Sequence, residues 1–352
     1  MPSNWLLYGS TGYTGTLIAR LAVTQGVRPI LAGRNPEKVR SQGAELGLDY
    51  RTFALDDPAA VDTALADVAA VLHCAGPFST TSRPMVDACL RTRTHYLDIT
   101  GEIAVFEALA ARDAEARAAG VMLLPGVGFD VVPSDCLAAH LKRRLPSAER
   151  LALGWQSRGG RTSRGTATTA VGNIHRGGLV RRGGVLTPVP AGWKTRLIDF
   201  GRGPILAVTI PWGDVSTAFY STGIPDIEVY AAVPTSLRWM LVASRSLGWL
   251  LRRSAAQRVL KRLIRTWPPG PTDAERARGM SLLWGEVEDP SGNRMAARLR
   301  GPEGYTLTAM TALAVVARVV AGQAPAGFKT PSLAYGADFI LEIQGIVRED
   351  LD

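Results

Sequence analysis

The sequence has little of what metal centres, disulfide frameworks and membrane spans require. Its 352 residues include only three cysteines, with no C-x-x-C pair, and four histidines that show no ligand spacing. We therefore expect reduced thiols, no disulfides and no metal site. No run of eighteen uninterrupted apolar residues occurs, which argues against a transmembrane helix.

Apolar sequence is also scarce before the first glycine turn. Leu6 and Leu7 are followed almost directly by glycines, which leaves no room for the apolar stretch of a signal peptide. We expect a cytoplasmic protein. The composition, 46% hydrophobic and 20% charged, is that of an ordinary globular chain, and the length suits two domains with large cores.

Acidic residues are missing from one long stretch, and this explains most of the net charge of +9. No acid lies between Val229 and Thr272, which hold eight basic residues: Arg238, Arg245, Arg252, Arg253, Arg258, Lys261, Arg262 and Arg265. A nucleic-acid surface would spread further and would need aromatics placed for stacking. We therefore expect no nucleic-acid partner.

The start of the chain reads as a strand, a glycine turn and a helix. Trp5 to Tyr8 is the strand, and Thr16 to Gln25 is the helix. Between them a first glycine permits a tight turn, a second lets a pyrophosphate approach, and a third lets the helix pack against the strand. We predict a dinucleotide site formed by Gly9, Ser10, Thr11, Gly12, Tyr13, Thr14 and Gly15. The alternative is a βα turn without a ligand.

The end of the second predicted strand indicates which dinucleotide binds. NAD sites place an acid there to accept the ribose 2′-hydroxyl, but this chain has Arg34, with Asn35 beside it and Lys38 one turn on. Such charges pair with a 2′-phosphate. We therefore predict NADP as the cofactor. The alternative is a solvated basic loop.

Further strands complete a doubly wound α/β domain. The third, Tyr50 to Leu55, leads to Asp56, where the adenine would lie. The fourth, starting at Ala70, ends in residues expected to shape the nicotinamide pocket: Ala75, Gly76, Pro77 and Phe78. Strands near His95 and Val121 follow, and serines are expected to cap the next helices at Ser82 and Ser134.

After Pro146 alternating segments replace the helical crossovers, and we predict a second α+β domain on a largely antiparallel sheet. The segments are Leu151 to Trp155, Ile205 to Ile210, Ser216 to Thr222, Ile227 to Val233, Ser281 to Glu288 and Arg294 to Arg300. Residues 304–322 predict a strong helix. The expected division is a Rossmann domain over residues 1–134, on which residues 330–352 pack back, and a substrate or dimerisation domain over residues 135–329.

Several motifs resemble the saccharopine dehydrogenase-like oxidoreductases. They are the GxxGxxG opening, Ala32–Asn35, Ala75–Phe78, Tyr96–Glu102 and Gly126–Asp135, with weaker matches at Gly165–Ala167, Gly177–Arg182, Gly304-Tyr305 and Thr330–Ser332. The chain is most similar to the branch that holds trans-acting enoyl reductases. The resemblance implies a Rossmann domain, an inserted α/β substrate domain and a nicotinamide cofactor, but it leaves the reaction open.

Hydride reduction needs a donor for the proton that follows the hydride. Asp130 and Asp135 come after the sixth strand, and Glu102 after the fifth, so we predict these three acids as catalytic candidates. For Asp135 and Glu102 a charge at a helix start is the alternative. No Tyr-x-x-x-Lys pair is present, so a short-chain dehydrogenase mechanism has no support.

Three functions remain open at this point. The first is an NADPH-dependent reductase of a C=C bond in a hydrophobic or carrier-bound acyl substrate of lipid metabolism. The second is a C=N reductase of the saccharopine type, for which Arg161, Arg164 and Arg176 would bind carboxylates. The third is a non-catalytic NADP-binding scaffold at a membrane or a partner enzyme.

The basic segment over residues 235–267 reads as two amphipathic helices, the second starting at Ser254, with Gln257 completing a capping box. Tryptophan with basic residues and no acid is typical of interfacial helices on anionic lipid. We therefore expect peripheral contact with the inner face of a membrane. The alternative is a helical hairpin packed on the sheet or at the contact of a homodimer.

Overall fold

Short apolar segments alternate with amphipathic ones in the first third of the chain, and the computed structural model folds them as alternating strands and helices. It describes residues 4–173, 177–235, 238 and 253–351. The chain divides into two compact units, Met1–Val132 with Tyr305–Gly336 and Pro133–Gly304 with Ala337–Asp352.

The first unit alternates strands with helices along the chain. Its elements begin with β1 (Trp5–Tyr8), α1 (Tyr13–Thr24), β2 (Ile30–Gly33), α2 (Pro36–Leu46), β3 (Tyr50–Thr52), α3 (Pro58–Leu65), β4 (Ala70–His73) and α4 (Phe78–Thr92). They continue with β5 (His95–Asp98), α5 (Ile103–Ala110), α6 (Asp113–Ala119) and β6 (Met122–Leu124). Helix α7 (Val132–Arg144) then leads into the second unit.

The strands of the first unit form one parallel sheet. Its strand order is β3-β2-β1-β4-β5-β6, and β15 (Gly327–Phe328) pairs beyond β6. All residues of β1, β2 and β4 are buried, as expected for parallel strands covered on both faces. The order reverses between β1 and β4, and ligands of such sheets bind outside the carboxyl ends at this switch point. The predicted doubly wound fold is confirmed.

The helix caps were predicted less well than the strands. Ser82 is a buried residue inside α4, which begins at Phe78, and Ser134 lies inside α7. Helix α4 starts before Ser82 because the carboxylate of Glu102 accepts from its first two amides. Two other helices of this unit are capped by Asn35, which accepts from Lys38 N, and by Asp57, which accepts from Ala60 N.

The boundaries of the units differ from the predicted domains in two places. Helix α12 (Gly304–Val320) and β15 were expected in the second domain, but from Tyr305 on they belong to the first unit. Residues 337–352, expected on the first domain, belong to the second unit, because β16 (Val347–Leu351) pairs with β14 (Arg294–Pro302). Only α13 (Pro331–Tyr335), at the start of the predicted tail, follows the prediction.

The second unit is built on a mixed sheet. Its remaining elements are β7 (Arg150–Arg158), α8 (Arg164–Asn173), β8 (Gly178–Arg182), β9 (Val185–Val189), β10 (Thr195–Asp199), β11 (Pro204–Thr209), α9 (Asp214–Thr222), β12 (Asp226–Ala231), α10 (Ser254–Arg265), α11 (Asp273–Arg278) and β13 (Met280–Glu288). The order β10-β11-β12-β7-β13-β14-β16 is antiparallel except between β12 and β7, so the predicted, largely antiparallel sheet is confirmed.

One predicted strand of this unit is wrong. Residues 216–222 lie in helix α9, which has Asp214 in its first turn and ends at Gly223 in the left-handed conformation. The segment contains Thr217, Phe219, Tyr220 and Thr222, residue types that favour strands. Asp214 at the start of the segment and Gly223 at its end both favour a helix, and the segment is helical.

The basic segment is described only in part. The first predicted helix, from residue 235 to 253, falls almost entirely outside the described residues. The second predicted helix is present as α10, but its N-cap is Arg253 and has no side-chain cap bond, so the capping box of Ser254 and Gln257 is wrong. Gln257 Nε2 donates instead to Val171 O of α8, at 3.1 Å. Within the described ranges no helix is long and apolar enough to cross a membrane.

Candidate functional site

The glycine loop lies at the carboxyl end of β1 and is fixed by close backbone contacts. Gly9 has φ +79°, and a Cβ there would lie 2.8 Å from Ala75 N, in the segment after β4. A Cβ at Gly15 would collide with Gly9 O and lie 2.9 Å from Ser10 Cα. A side chain at either position is therefore incompatible with the loop. The predicted roles of Gly9 and Gly15 agree with this geometry.

Gly12 differs from these two glycines. It is the N-cap of α1 in an ordinary extended conformation, and a Cβ there would approach only Gly9 O, at 3.2 Å. The fold therefore places less demand on Gly12. Packing alone does not require a glycine at position 12. The residue lies at the exposed start of α1, whose first N–H groups have no partners within the helix. Both features fit a position that leaves room for a phosphate.

Hydrogen bonds hold the loop in place. Gly9 N and Ser10 N both donate to Ala32 O of β2, at 2.8 and 3.2 Å. Ser10 O accepts from Gln42 Nε2 of α2 at 2.9 Å and from Thr16 Oγ1 at 3.2 Å. The loop is thus connected to both β2 and α2, the elements expected to hold the adenosine end of a dinucleotide.

The side chains predicted to bind the 2′-phosphate lie between the end of β2 and the first turn of α2. Arg34 and Lys38 are exposed, and among the described residues neither forms an ion pair, whereas the Asn35 side chain is engaged in capping α2. A cavity of about 430 Å³ between α1 and α2 is lined by Thr11 and Lys38 and also by Glu37 and Glu45, and Arg34 lies outside its lining. Two cations without acidic partners at this strand end fit a phosphate dianion.

Asp56 lies in the turn between β3 and α3 and is exposed. Burial raises the pKa of the Tyr8 hydroxyl, the charge of Arg34 lowers it and the charge of Asp56 raises it. Arg34 and Asp56 are therefore both close enough to the end of β1 to act on one tyrosine. The structure brings the predicted 2′-phosphate and adenine residues together.

The loop after β4 contains Ala75, Gly76, Pro77 and Phe78, with a cis peptide bond between Gly76 and Pro77. Thr81 Oγ1 donates to Ala75 O at 2.7 Å and lies 3.0 Å from His73 Nε2. The His73 ring meets the Phe78 ring edge to face, with centroids 5.4 Å apart. Burial lowers the pKa of His73 to about 3, so this imidazole is neutral and contributes to the packing of the core.

Glu102 has a different role from the predicted one. Its carboxylate oxygens accept from Phe78 N at 2.8 Å and Ser79 N at 3.1 Å, the first two amides of α4. It therefore caps a neighbouring helix, where a negative charge is favourable. This geometry gives Glu102 a structural role that competes with proton transfer, and we do not retain it as a catalytic candidate.

Asp130 follows β6 and is half-buried, with its carboxyl group against Gly101: a Cβ on Gly101 would lie 2.7 Å from Asp130 Oδ2. Across the described parts of the chain its side chain has no hydrogen bond or ion pair. Burial alone raises its pKa to about 7. Asp130 is thus a carboxylic acid that is partly protonated near neutral pH. Asp135, the other predicted acid after β6, is fully buried in the first turn of α7.

Asp98 at the end of β5 was not predicted as a site residue. Its carboxylate accepts from Tyr96 Oη at 2.7 Å, Thr100 N at 3.0 Å and Gly126 N at 2.9 Å, which ties β5 to the loop after β6. Burial raises its pKa to about 6, although these bonds oppose the shift. An acid at the end of an apolar strand, followed by a threonine, was the available signal.

Helix α12 also supports the loop after β6, which sequence reasoning missed. Phe129 N donates to Thr308 Oγ1 at 3.0 Å, and Thr311 Oγ1 donates to Val127 O at 2.8 Å. Gly128 lies so close that a Cβ would be 2.8 Å from Thr308 Cγ2. Near the helix start the rings of Tyr305 and Tyr13 meet edge to face, 5.1 Å apart. The threonines of this otherwise apolar helix, Thr308 and Thr311 among them, were the available sequence signal.

Three features are typical of an NADP-binding domain: a glycine loop between β1 and α1, two exposed cations after β2, and a reversal of strand order. Residues 5–124 match the family described as "Saccharopine dehydrogenase NADP binding domain". Residues 5–124, about a third of the chain, are therefore an NADP-binding domain of the saccharopine dehydrogenase type. The expected cofactor is confirmed, and the match agrees with the resemblance seen in the motifs.

Named relatives match part of the chain. A "trans-acting enoyl reductase" of Mycobacterium leprae is 34% identical over 148 residues, which are 40% of this chain and 35% of that protein. A Mycobacterium tuberculosis protein of the same name is 31% identical over 147 residues, again 35% of its length. A human "saccharopine dehydrogenase-like oxidoreductase" is 25% identical over 164 residues, 41% of this chain and 38% of that protein.

A solved structure of similar fold covers nearly the whole chain. The apo saccharopine dehydrogenase (L-Glu forming) of Saccharomyces cerevisiae superposes with a TM-score of 0.67 over 99% of this chain and 100% of that one, at 13% identity. At this identity the likeness establishes the fold alone. It agrees with a parallel first sheet and a mixed second sheet.

Replacing Gly12 tests whether the glycine loop binds a ligand. We expect Gly12→Val to fold, since only Gly9 O lies near the new Cβ, and to lose NADPH binding because the branched side chain occupies the phosphate position. Circular dichroism and a fluorescence titration with NADPH measure the two effects. Gly15→Ala is the control that should impair folding. A folded Gly12→Val protein with unchanged NADPH affinity would mean that the loop is structural only.

Replacing Arg34 tests the cofactor preference. Arg34→Ala removes a charge-assisted phosphate contact worth about 1.5–3 kcal/mol, so NADPH affinity should fall roughly tenfold or more while NADH affinity stays nearly constant. Titrations of both cofactors give the ratio of dissociation constants, and Arg40→Ala, an exposed arginine on α2, should leave it unchanged. Equal losses for NADPH and NADH in Arg34→Ala would contradict the assignment.

Proposed function

We propose that the protein is an NADPH-dependent reductase of a C=C bond in a hydrophobic acyl substrate. The observation that carries the proposal is Asp130, a half-buried acid without a polar partner in the described chain, beside the carboxyl edge of an NADP-binding sheet. The relatives named trans-acting enoyl reductases support this chemistry, since an enoyl group is a C=C bond next to a carbonyl.

The chain's residues have separate tasks in such a reaction. Arg34 and Lys38 bind the 2′-phosphate, and the glycine loop orients the pyrophosphate. Bound NADPH would supply the hydride, which adds to one carbon of the double bond and leaves NADP⁺. Asp130 holds the proton that the other carbon takes up. The product is the saturated acyl chain, and the Asp130 carboxylate regains its proton from water.

The surroundings of Asp130 favour an apolar substrate over an amino acid. Its pKa is raised by burial, and no neighbouring cation contributes. A substrate with carboxylates would need cations close to the reacting bond. Of the three arginines considered for this task, Arg161 forms an ion pair with Glu275 at 3.0 Å, Arg164 is described, and Arg176 lies outside the described residues. The preference for an apolar substrate over a C=N reductase therefore rests on the surroundings of Asp130.

The form in which the substrate arrives belongs to the same proposal. A thioester of a carrier protein presents an acyl chain in the chemical form that an enoyl reductase uses, so we propose a carrier-bound acyl thioester as the substrate. A homodimer remains a further proposal, and neither the reaction nor the roles assigned to Arg34 and Asp130 require it.

A substrate comparison combined with an Asp130 variant tests the proposal. We expect NADPH oxidation with a medium-chain enoyl thioester and none with an imine of an amino acid. With the enoyl substrate, kcat/KM should fall as the pH rises above about 7, because the protonated form of Asp130 is the one that donates. Asp130→Asn should lower kcat by roughly 10²–10⁴ and abolish this pH dependence.

Glu102→Gln is the matched control, since it removes a nearby carboxylate that caps α4. It should lower the melting temperature and keep the pH dependence. Faster turnover of the imine, or an Asp130→Asn enzyme with the wild-type pH profile, would contradict the proposal. NADPH binding without oxidation by either substrate would favour the non-catalytic scaffold.

A further inference from the structure

Helix α10 (Ser254–Arg265) has two different faces. On one face Ile264 is 5% exposed, and Gln257 donates its side-chain hydrogen bond to Val171 of α8. On the other face three large apolar side chains point outward: Val259 is 59% exposed, Leu263 is 58% exposed, and Trp267, in the turn after the helix, is 50% exposed. The helix thus packs on its own unit and still presents apolar surface.

The exposed apolar residues form one continuous stripe. Val259 and Leu263 are four residues apart, so they lie above one another on the helix, and Trp267 extends the row by four more. Single exposed apolar residues are ordinary on protein surfaces, but a row of three with a tryptophan at its end indicates a contact surface.

Positive charge borders this stripe. Arg258 and Arg262 are exposed and directly precede Val259 and Leu263, which places them along one side of the row. No acidic residue occurs anywhere between Val229 and Thr272. The partner of this surface must therefore accept apolar side chains and arginines next to each other, and it must carry negative charge.

We propose that this face of α10 binds the surface of a membrane that contains anionic lipid. Val259, Leu263 and Trp267 enter the boundary between headgroups and acyl chains, and Arg258 and Arg262 pair with lipid phosphates. Tryptophan suits this depth because its ring is apolar and its N–H group remains hydrogen-bonded.

Other occupants fit the surface less well. A second copy of the chain, docked symmetrically through this face, would bring Arg258 and Arg262 towards their own counterparts, and like charges repel. A nucleic acid would pair with the arginines but would leave Val259 and Leu263 exposed to water. Lipid is the partner that uses both the charge and the apolar row.

Vesicle flotation of the full chain tests the proposal without any enzyme substrate. We expect binding to vesicles of phosphatidylcholine with phosphatidylglycerol at low salt, weaker binding at high salt, and little binding to phosphatidylcholine alone. Arg258→Gln with Arg262→Gln should weaken the partition coefficient by roughly tenfold to thirtyfold. Val259→Ser with Leu263→Ser should weaken it by a similar factor or more.

Matched controls replace residues of the same type elsewhere on the described surface. Arg83→Gln with Arg202→Gln, and Val185→Ser with Leu197→Ser, should bind vesicles as the wild type does. Retained NADPH binding and melting temperature show that every variant is folded. The result of the flotation experiment therefore does not depend on the proposed reaction.

Three results would overturn the proposal. The first is wild-type protein that stays unbound on anionic vesicles at low salt. The second is equal flotation of the wild type and the α10 variants. The third is a loss of dimer on size exclusion, or of RNA binding, in the α10 variants without any change in vesicle binding, which would assign the face to a second copy or to a nucleic acid.

Discussion

The close approach of backbone segments around Gly9 is the constraint on which the site depends. Gly15 in α1 lies against Gly9 O, and Gly9 lies against Ala75 after β4, so the ends of β1 and β4 meet without room for a side chain on Gly9. This contact is at the point where the strand order reverses. Because both segments are held there, the loop offers its amides and its helix start in a fixed direction.

Three acids around this sheet edge show how environment assigns chemical roles. Asp98 accepts three hydrogen bonds and ties two strand ends together. Glu102 accepts hydrogen bonds from two backbone amides and caps a helix. Asp130 has no such bonds in the described chain, and burial brings its pKa to about 7. Only the last has a proton to exchange at neutral pH without giving up a structural contact.

The sequence was sufficient for the features that depend on local spacing. The glycines, Arg34 and the six consecutive strands of the first sheet follow from periodicity and turn chemistry within short stretches. The exposed cations and Asp56 then gather around the end of β1 because parallel strands share one carboxyl edge. These residues could be predicted because the order of the βα units along the chain determines which strand ends lie next to each other.

Features that depend on contacts between distant segments could not be predicted in this way. Glu102 looked like a candidate acid because the amides that donate to it, those of Phe78 and Ser79, lie more than twenty residues earlier in the chain. Helix α12 was placed in the wrong unit because Thr308 meets Phe129 across 179 residues. Residues 216–222 contain residue types that favour strands, but the acid before them and the glycine after them favour a helix, and the segment is helical.

The central claim is that the chain transfers a hydride from NADPH to a C=C bond. It is tested most directly with NADPH deuterated at the transferable position on one face of the ring, an enoyl thioester and mass spectrometry of the product. The account predicts one deuterium on the saturated chain, at the carbon farther from the carbonyl, from one face only. A saturated product without deuterium from either face, or deuterium transfer to an imine alone, would contradict it.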